Sequence, residues 1–402
     1  MDDHRLSAAI GRIEPSPTLA ITARAAAMKA DGIDVISLSA GEPDFDTPDF
    51  VKQAAIAAIE AGQTKYTAVG GTPALKAAVV AKFARENRID YSPPEVIVGV
   101  GGKQVLFNAI LATVGPGDEV IVPAPYWVSY PDIVRFAGGS VVAVPAGREQ
   151  GYKVTPEQIA AAITPATRWV IFNSPSNPTG AAYSGEELAA LGAVLRDHPH
   201  VMAITDDMYE HIWYADTPFA TLAEVCPDLK DRILTVNGCS KAYAMTGWRI
   251  GFAGGPRWLI AAMTKLQSQS TSNACSIAQA AALAALDGPK DFLAERNAAF
   301  RARRDLVVER LDAIDGLACP SPEGAFYVYP DASGLIGRAT PEGVMLSNDA
   351  DLAEYLLAEA RVAVVPGAAF GLSPAFRVSY ATSREILETA CERIARACAK
   401  LG

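Results

Sequence analysis

Between residues 95 and 255 the chain keeps returning to short apolar runs rich in β-branched residues: "EVIVGV" (95–100), "DEVIVP" (118–123), "RWVIFN" (168–173), "VMAIT" (201–205), "RILTVN" (232–237) and "RIGFAGG" (249–255). Longer stretches with helical spacing separate them, and this alternation restricts the fold more than any other feature. Strands that are apolar along their whole length need helices on both faces, so the pattern predicts an α/β fold with a mostly parallel central sheet. Helix starts are marked by Thr47-Pro48 and Thr72-Pro73, each a capping hydroxyl before a first-turn proline, and by Ser184 with Glu187 as a capping box. After about Asn273 the rhythm changes to long helices, then short strands at "AFYVYP" and "FRVSYAT", which predicts a smaller α+β domain. The expected division is an N-terminal segment 1–46 that joins the small domain, a large domain 47–290 and a C-terminal domain 291–402.

A chain of 402 residues with 50% hydrophobic and 20% charged residues suits such a globular fold, and its formal net charge of -10 argues against nucleic acid or anionic membranes as partners. No stretch reaches the roughly 18 uninterrupted apolar residues of a membrane span. The opening "MDDHRLSAAIGRIEPS" lacks the basic start and apolar core of a signal peptide, so a cytoplasmic location is expected. Six cysteines contain no C-x-x-C pair, and the four histidines include no i, i+4 helical pair, so neither a disulfide framework nor a metal site is expected.

Candidate chemistry gathers where strands end. "GVGGKQ" (99–104) follows a strand and opens a helix, so it can hold a phosphate on backbone N–H groups or serve only as a turn. In "NSPSNPTG" (173–180), Asn177 stands either at a ligand crevice or in an Asx turn before Pro178. In "AITDDMYE" (203–210), Asp206 is placed to face a ligand cation, while Asp207 and Glu210 are expected to face water. "NGCSKAYAMTGWRIG" (237–251) sets Lys241 among small and apolar residues, where desolvation lowers an amine pKa toward nucleophilic usefulness, with the Arg249 fork eight residues on. A reactive amine, a phosphate cradle, an asparagine, a buried aspartate and Tyr209 together are best explained by an aldehyde cofactor with a phosphate and a basic ring nitrogen, pyridoxal 5'-phosphate.

"AGEPDF", "TKYTAVGG", "GGKQ", "PAPYWVSYP", "NSPSNPTG", "DDMYEH", "SKAYAMTGWRIG", "EGAFYVYP" and "FRVSYATS" run in this order over nearly the whole chain. In order and spacing the set resembles the class I aminotransferases of the aspartate aminotransferase family, especially the bacterial aspartate/prephenate branch. The resemblance implies the fold type I architecture of pyridoxal-phosphate enzymes and a homodimer with active sites at the interface. It implies Lys241 as covalent anchor and proton carrier, Asp206 as partner of the ring nitrogen, Tyr209 and Asn177 on the ring oxygen, and Trp127 stacked on the ring. Gly101, Gly102, Lys103, Ser240 and Arg249 would line the phosphate side, with Tyr66 arriving from the other subunit. Arg377 would clamp the substrate α-carboxylate, helped by Asn177, Trp127 and Gly41.

The sequence departs from relatives at points that bear on substrate. "SQSTSN" (268–273) lacks the arginine that one branch sends to the distal carboxylate of aspartate, which leaves Lys103 as first choice for that cation and Arg12 as second. Glu14 lies in the segment that closes over substrate in relatives, and a carboxylate there would repel a dicarboxylate such as prephenate. The expected activity is therefore transfer of an amino group between aspartate or glutamate and 2-oxoglutarate or oxaloacetate. The alternatives are a prephenate or aromatic aminotransferase, or a carbon–sulfur lyase on the same scaffold.

Overall fold

The computed structural model describes residues 5–402. The N-terminal part carries the helix Pro17–Ala30 and the short strand β1 (Ile36–Ser37). The central sheet follows, with β2 (Val96–Val100), β3 (Glu119–Ala124), β4 (Ser140–Pro145), β5 (Thr167–Asn173), β6 (Met202–Asp206), β7 (Ile233–Gly238) and β8 (Ile250–Gly254). Their order is β2-β8-β7-β6-β5-β3-β4, parallel except for β8, which runs antiparallel to both of its neighbours. The six apolar runs read from the sequence are six of these strands. The seventh, β4, was not marked by them although "SVVAVP" is nearly as apolar as the others; it is an edge strand with much of its length partly exposed.

One face of the sheet is covered by a cluster that includes Val79, Phe83, Val170, Phe172, Leu191 and Phe252, and the other by one that includes Leu106, Ile110, Trp169, Ile171, Ile204 and Met263. Residues alternate between these clusters along each strand, as in Trp169, Val170, Ile171 and Phe172. Each such side chain contributes about 1.5–3 kcal/mol on burial.

The C-terminal part packs the helix Asp291–Asp312 and the helix Arg384–Cys398 over a three-stranded sheet of β9 (Tyr327–Val328), β11 (Val365–Pro366) and β12 (Phe376–Ser379). Strand β10 (Val362–Ala363) pairs with β1, so the N-terminal segment returns to this part of the molecule. Phe326, Tyr327, Val378, Leu387 and Ile394 share its buried cluster.

Two capping expectations hold and one does not. Thr72 accepts from the Leu75 N–H, and Ser184 with Glu187 forms the capping box. Thr47 caps nothing: its hydroxyl donates to the Ala244 carbonyl at 2.6 Å and accepts from the Trp248 indole at 3.0 Å. It thereby ties the chain after β1 to the loop that carries Lys241, a long-range use that a local reading cannot see.

Candidate active site

The carboxyl ends of β5, β6 and β7 converge with the loop after β1 and with β12 on a cavity of about 440 Å³. Its base is set by close backbone packing. A Cβ at Gly251 of β8 would meet the Gly102 nitrogen at 2.1 Å, so the helix Gly101–Thr113 starts hard against the sheet. Gly101, at φ +80°, lies where a side chain would run into the Arg249 guanidinium. Gly102, Lys103, Ser240 and Arg249 line this end of the cavity, leaving N–H groups of a helix start beside a guanidinium and a hydroxyl. Arg249 itself donates to the Thr246 carbonyl at 2.8 Å.

Lys241 stands in the loop after β7, and its amine donates to the Gly41 carbonyl at 2.6 Å. Burial, then repulsion from Arg377, lowers its pKa to about 8, with Glu42 and Asp206 opposing. The neutral fraction of this amine therefore grows as pH rises through 8. In the cofactor-free protein, condensation with a small aldehyde is expected to accelerate from pH 7, pass its half-maximal rate near pH 8 and level off above about pH 9. An absorbance time course across pH checks this; a rate still climbing toward pH 10 would overturn it.

Asp206 ends β6. Its Oδ2 accepts from the Tyr130 hydroxyl at 2.7 Å, while Oδ1 is buried with no hydrogen-bond partner. Burial raises its pKa to about 6, opposed by the Tyr130 hydrogen bond, a backbone hydrogen bond from Met208 and attraction to Lys241. At neutral pH the side chain is thus mainly a carboxylate with one oxygen facing an incomplete environment. A protonated ring nitrogen is the kind of donor that completes it, so these residues fit the cofactor expected from the sequence.

Arg377 lies on β12 and is 2% exposed. It donates to Asn177 Oδ1 at 2.9 Å and to the Ser39 carbonyl at 2.5 Å, its Nε has no partner, and it lies 4.7 Å from the Tyr327 ring centroid. Asn177 therefore lines the crevice. The turn bond is made instead by Asn173, whose Oδ1 accepts from the Asn177 N–H at 2.7 Å. Tyr209 pairs hydroxyl to hydroxyl with Tyr327 at 2.9 Å. Trp127 packs edge-on against Tyr130, and the Lys103 amine lies 4.9 Å from the Trp127 ring centroid. Desolvation, then repulsion from Arg249, lowers the Lys103 pKa.

The structure thus brings Gly41, Gly102, Lys103, Trp127, Asn177, Asp206, Tyr209, Ser240, Lys241, Arg249 and Arg377 around one cavity, with Gly101 directly behind Arg249. Two candidates stand apart. Arg12 is exposed with its guanidinium near Gly138, outside the cavity wall. Tyr66 is 91% exposed and does not line the cavity. Glu14 is exposed and does not line the cavity either; Ser16, Thr18, Leu19 and Thr22 of the same segment do.

A further correction concerns the acids after β6. Asp207 and Glu210, expected to face water, are 2% and 6% exposed. Glu210 is paired with Lys82 and accepts from Asn237 at 2.7 Å and Asn87 at 3.2 Å. Glu86, Glu210 and His211 together could surround a metal ion, but the Lys82 amine already sits against Glu210 and 3.7 Å from Glu86, supplying the positive charge. Residues the sequence reading passed over are Tyr130, Tyr327 and Ser39. Tyr130 follows Trp127 by three positions in a helical start, a spacing that could have placed both on one side.

The chain is similar to known proteins over nearly its whole length. The family model for aminotransferase class I and II matches residues 33–394. An aspartate/prephenate aminotransferase of Cereibacter sphaeroides is 61% identical over 98% of this chain and 99% of its own length. The crystal structure of the aspartate aminotransferase from Rhizobium meliloti superposes with a TM-score of 0.96 at 57% identity, covering 99% of each chain. The aspartate aminotransferase from Thermus thermophilus with maleate superposes with a TM-score of 0.91 at 46% identity, covering 98% of this chain and 99% of the other. A cavity built around a partly buried amine, a buried carboxylate and a buried arginine, within a match of this length and identity, places the chain in the class I and II aminotransferases.

Proposed function

We propose that the protein is a pyridoxal-phosphate-dependent aminotransferase that moves an amino group between aspartate or glutamate and a 2-oxo acid such as 2-oxoglutarate or oxaloacetate. The observation that carries the reading is the unpartnered Asp206 Oδ1 in the cavity that also holds the depressed-pKa amine of Lys241. When bound, the cofactor supplies an electrophilic aldehyde carbon and a ring that accepts electrons from the substrate. The chain does the rest. Lys241 offers a neutral amine as anchor and, once displaced, a base that carries a proton to and from the substrate carbon. Asp206, fixed by Tyr130, would keep a negative charge beside the ring nitrogen. Gly101, Gly102, Ser240 and Arg249 would hold the phosphate, and Trp127 with Asn177 and Tyr209 would hold the ring.

Arg377, steadied by Asn177 and the Ser39 carbonyl, takes the substrate α-carboxylate near Gly41. Lys103 then serves the distal carboxylate, since Arg12 lies outside the cavity wall. The maleate named with the Thermus relative is a dicarboxylate, which supports a dicarboxylic substrate. Prephenate is a second candidate acceptor partner: relatives carry that name, and Glu14 contributes nothing to the cavity wall that would repel it.

The same reading makes the protein a homodimer, with Tyr66 reaching the partner's phosphate site. Its support is the 91% exposure of that tyrosine and an open cleft of about 810 Å³ that Arg249 and Thr246 also line. It divides the chain at 46/47 and 290/291 and places the protein in the cytoplasm. Among the described residues no helix is long and apolar enough to cross a membrane.

The test is a panel of amino donors against 2-oxoglutarate, oxaloacetate and prephenate, scored by kcat/KM. Aspartate is expected to bleach the yellow cofactor-loaded protein and yield oxaloacetate. A spectrum unmoved by every amino acid would overturn the proposal. Pyruvate and ammonia released from a cysteine conjugate, with no acceptor present, would favour a lyase.

A further inference from the structure

We propose that Tyr327 is a positioning residue that couples the cofactor end of the site to the carboxylate clamp: its hydroxyl directs the Tyr209 proton toward the cofactor ring oxygen, and its ring supports Arg377. The inference rests on the cofactor reading above and adds a residue to it.

Tyr327 begins β9, where it pairs with Ser379 of β12, the strand that carries Arg377. It is fully buried. Its hydroxyl lies 2.9 Å from that of Tyr209, and its ring centroid lies 4.7 Å from the Arg377 guanidinium carbon. The same hydroxyl would stand 2.7 Å from a Cβ at Gly41, so it occupies space that only glycine leaves open, beside the carbonyl that receives the Lys241 amine. One side chain rooted in the C-terminal sheet therefore touches residues on the loop after β1, on β12 and on the segment after β6.

A phenol has one proton to donate and lone pairs to accept with. If Tyr209 donates its proton to the cofactor oxygen, its own oxygen is left to accept. The Tyr327 hydroxyl is the donor in hydrogen-bonding reach. Donation into Tyr209 polarises its O–H and strengthens the bond it makes in turn. The ring plays a separate part, because a desolvated guanidinium is attracted to an aromatic face. Simple core packing would require the ring only.

The hydroxyl and the ring can be removed one at a time. In the cofactor-loaded protein, Tyr327→Phe keeps the ring and removes the donor. A ring oxygen less well supported holds the proton on the neighbouring Lys241 nitrogen more tightly, so the pH midpoint of the visible band should rise, by roughly half a unit for one lost hydrogen bond. In a Tyr209→Phe background the same change should add nothing, since its route is gone. Tyr327→Leu should also weaken binding of maleate, an unreactive dicarboxylate, about tenfold, whereas Tyr327→Phe should change it less than about twofold. An unmoved midpoint in Tyr327→Phe, an equal shift with Tyr209 already replaced, or unaltered maleate affinity in Tyr327→Leu would overturn the coupling. Absence of any visible band in the parent protein would overturn the cofactor reading and the coupling with it; a normal band with an unmoved midpoint overturns the coupling alone.

Discussion

Lys241→Ala is expected to lower kcat for transamination by a factor on the order of 10⁴, because one substitution removes both the anchor and the proton carrier. The cavity offers no substitute. Lys103, its other lysine, lies over Trp127 at the end shared with Gly102, and the guanidinium groups of Arg249 and Arg377 do not give up protons near neutral pH. The variant should still fold and still hold the cofactor by its other contacts, since Asp206, Ser240 and Arg249 are untouched. It should also lose the covalent link. Borohydride treatment followed by peptide mass analysis would find the cofactor fixed on Lys241 in the parent and on no peptide in the variant. Activity within tenfold of the parent, or a label on another lysine, would remove Lys241 from the mechanism.

How far the residues could be read in advance depended on whether their surroundings are local. Lys241 was legible because its neighbours in sequence, Cys239, Ala242, Tyr243 and Met245, are buried. Asp206 was legible because a run of buried residues ends on it. Asp207 and Glu210 were misjudged because their environment comes from elsewhere: Lys82, which neutralises Glu210, is 128 residues away and arrives on the helix Pro73–Asn87 behind the sheet. Thr47 was misjudged for the same reason, its acceptor Ala244 lying 197 residues on. Arg12 was close in sequence to the wall residues Ser16 and Thr18, yet the short turn Ile10–Arg12 directs it to Gly138 instead. Tyr327 carried no signal of its own. Inside "EGAFYVYP" an aromatic residue reads as core, and only the pairing of β9 with β12 reveals that its hydroxyl and its ring meet two different functional groups.

The adjacent carboxyls at the end of β6 give the second large expectation. Asp206→Asn should lower kcat by a factor on the order of 10³, since removing one member of a buried charge pair costs about 3–5 kcal/mol. The replacement preserves shape, and an amide oxygen can still accept from Tyr130, so the loss would report charge and not collapse of the site. Without that charge the ring nitrogen has no reason to keep its proton, and the ring becomes a poorer acceptor of electrons. Asp207→Asn provides the control one residue away. Burial holds the Asp207 carboxyl well above the usual carboxylate range, which favours its neutral form, so an amide there should change kcat less than about threefold. Rates measured for both variants at pH 7 to 8, alongside thermal melting to verify folding, separate the two. Equal losses at the two positions would mean that the buried charge of Asp206 is not what the site uses.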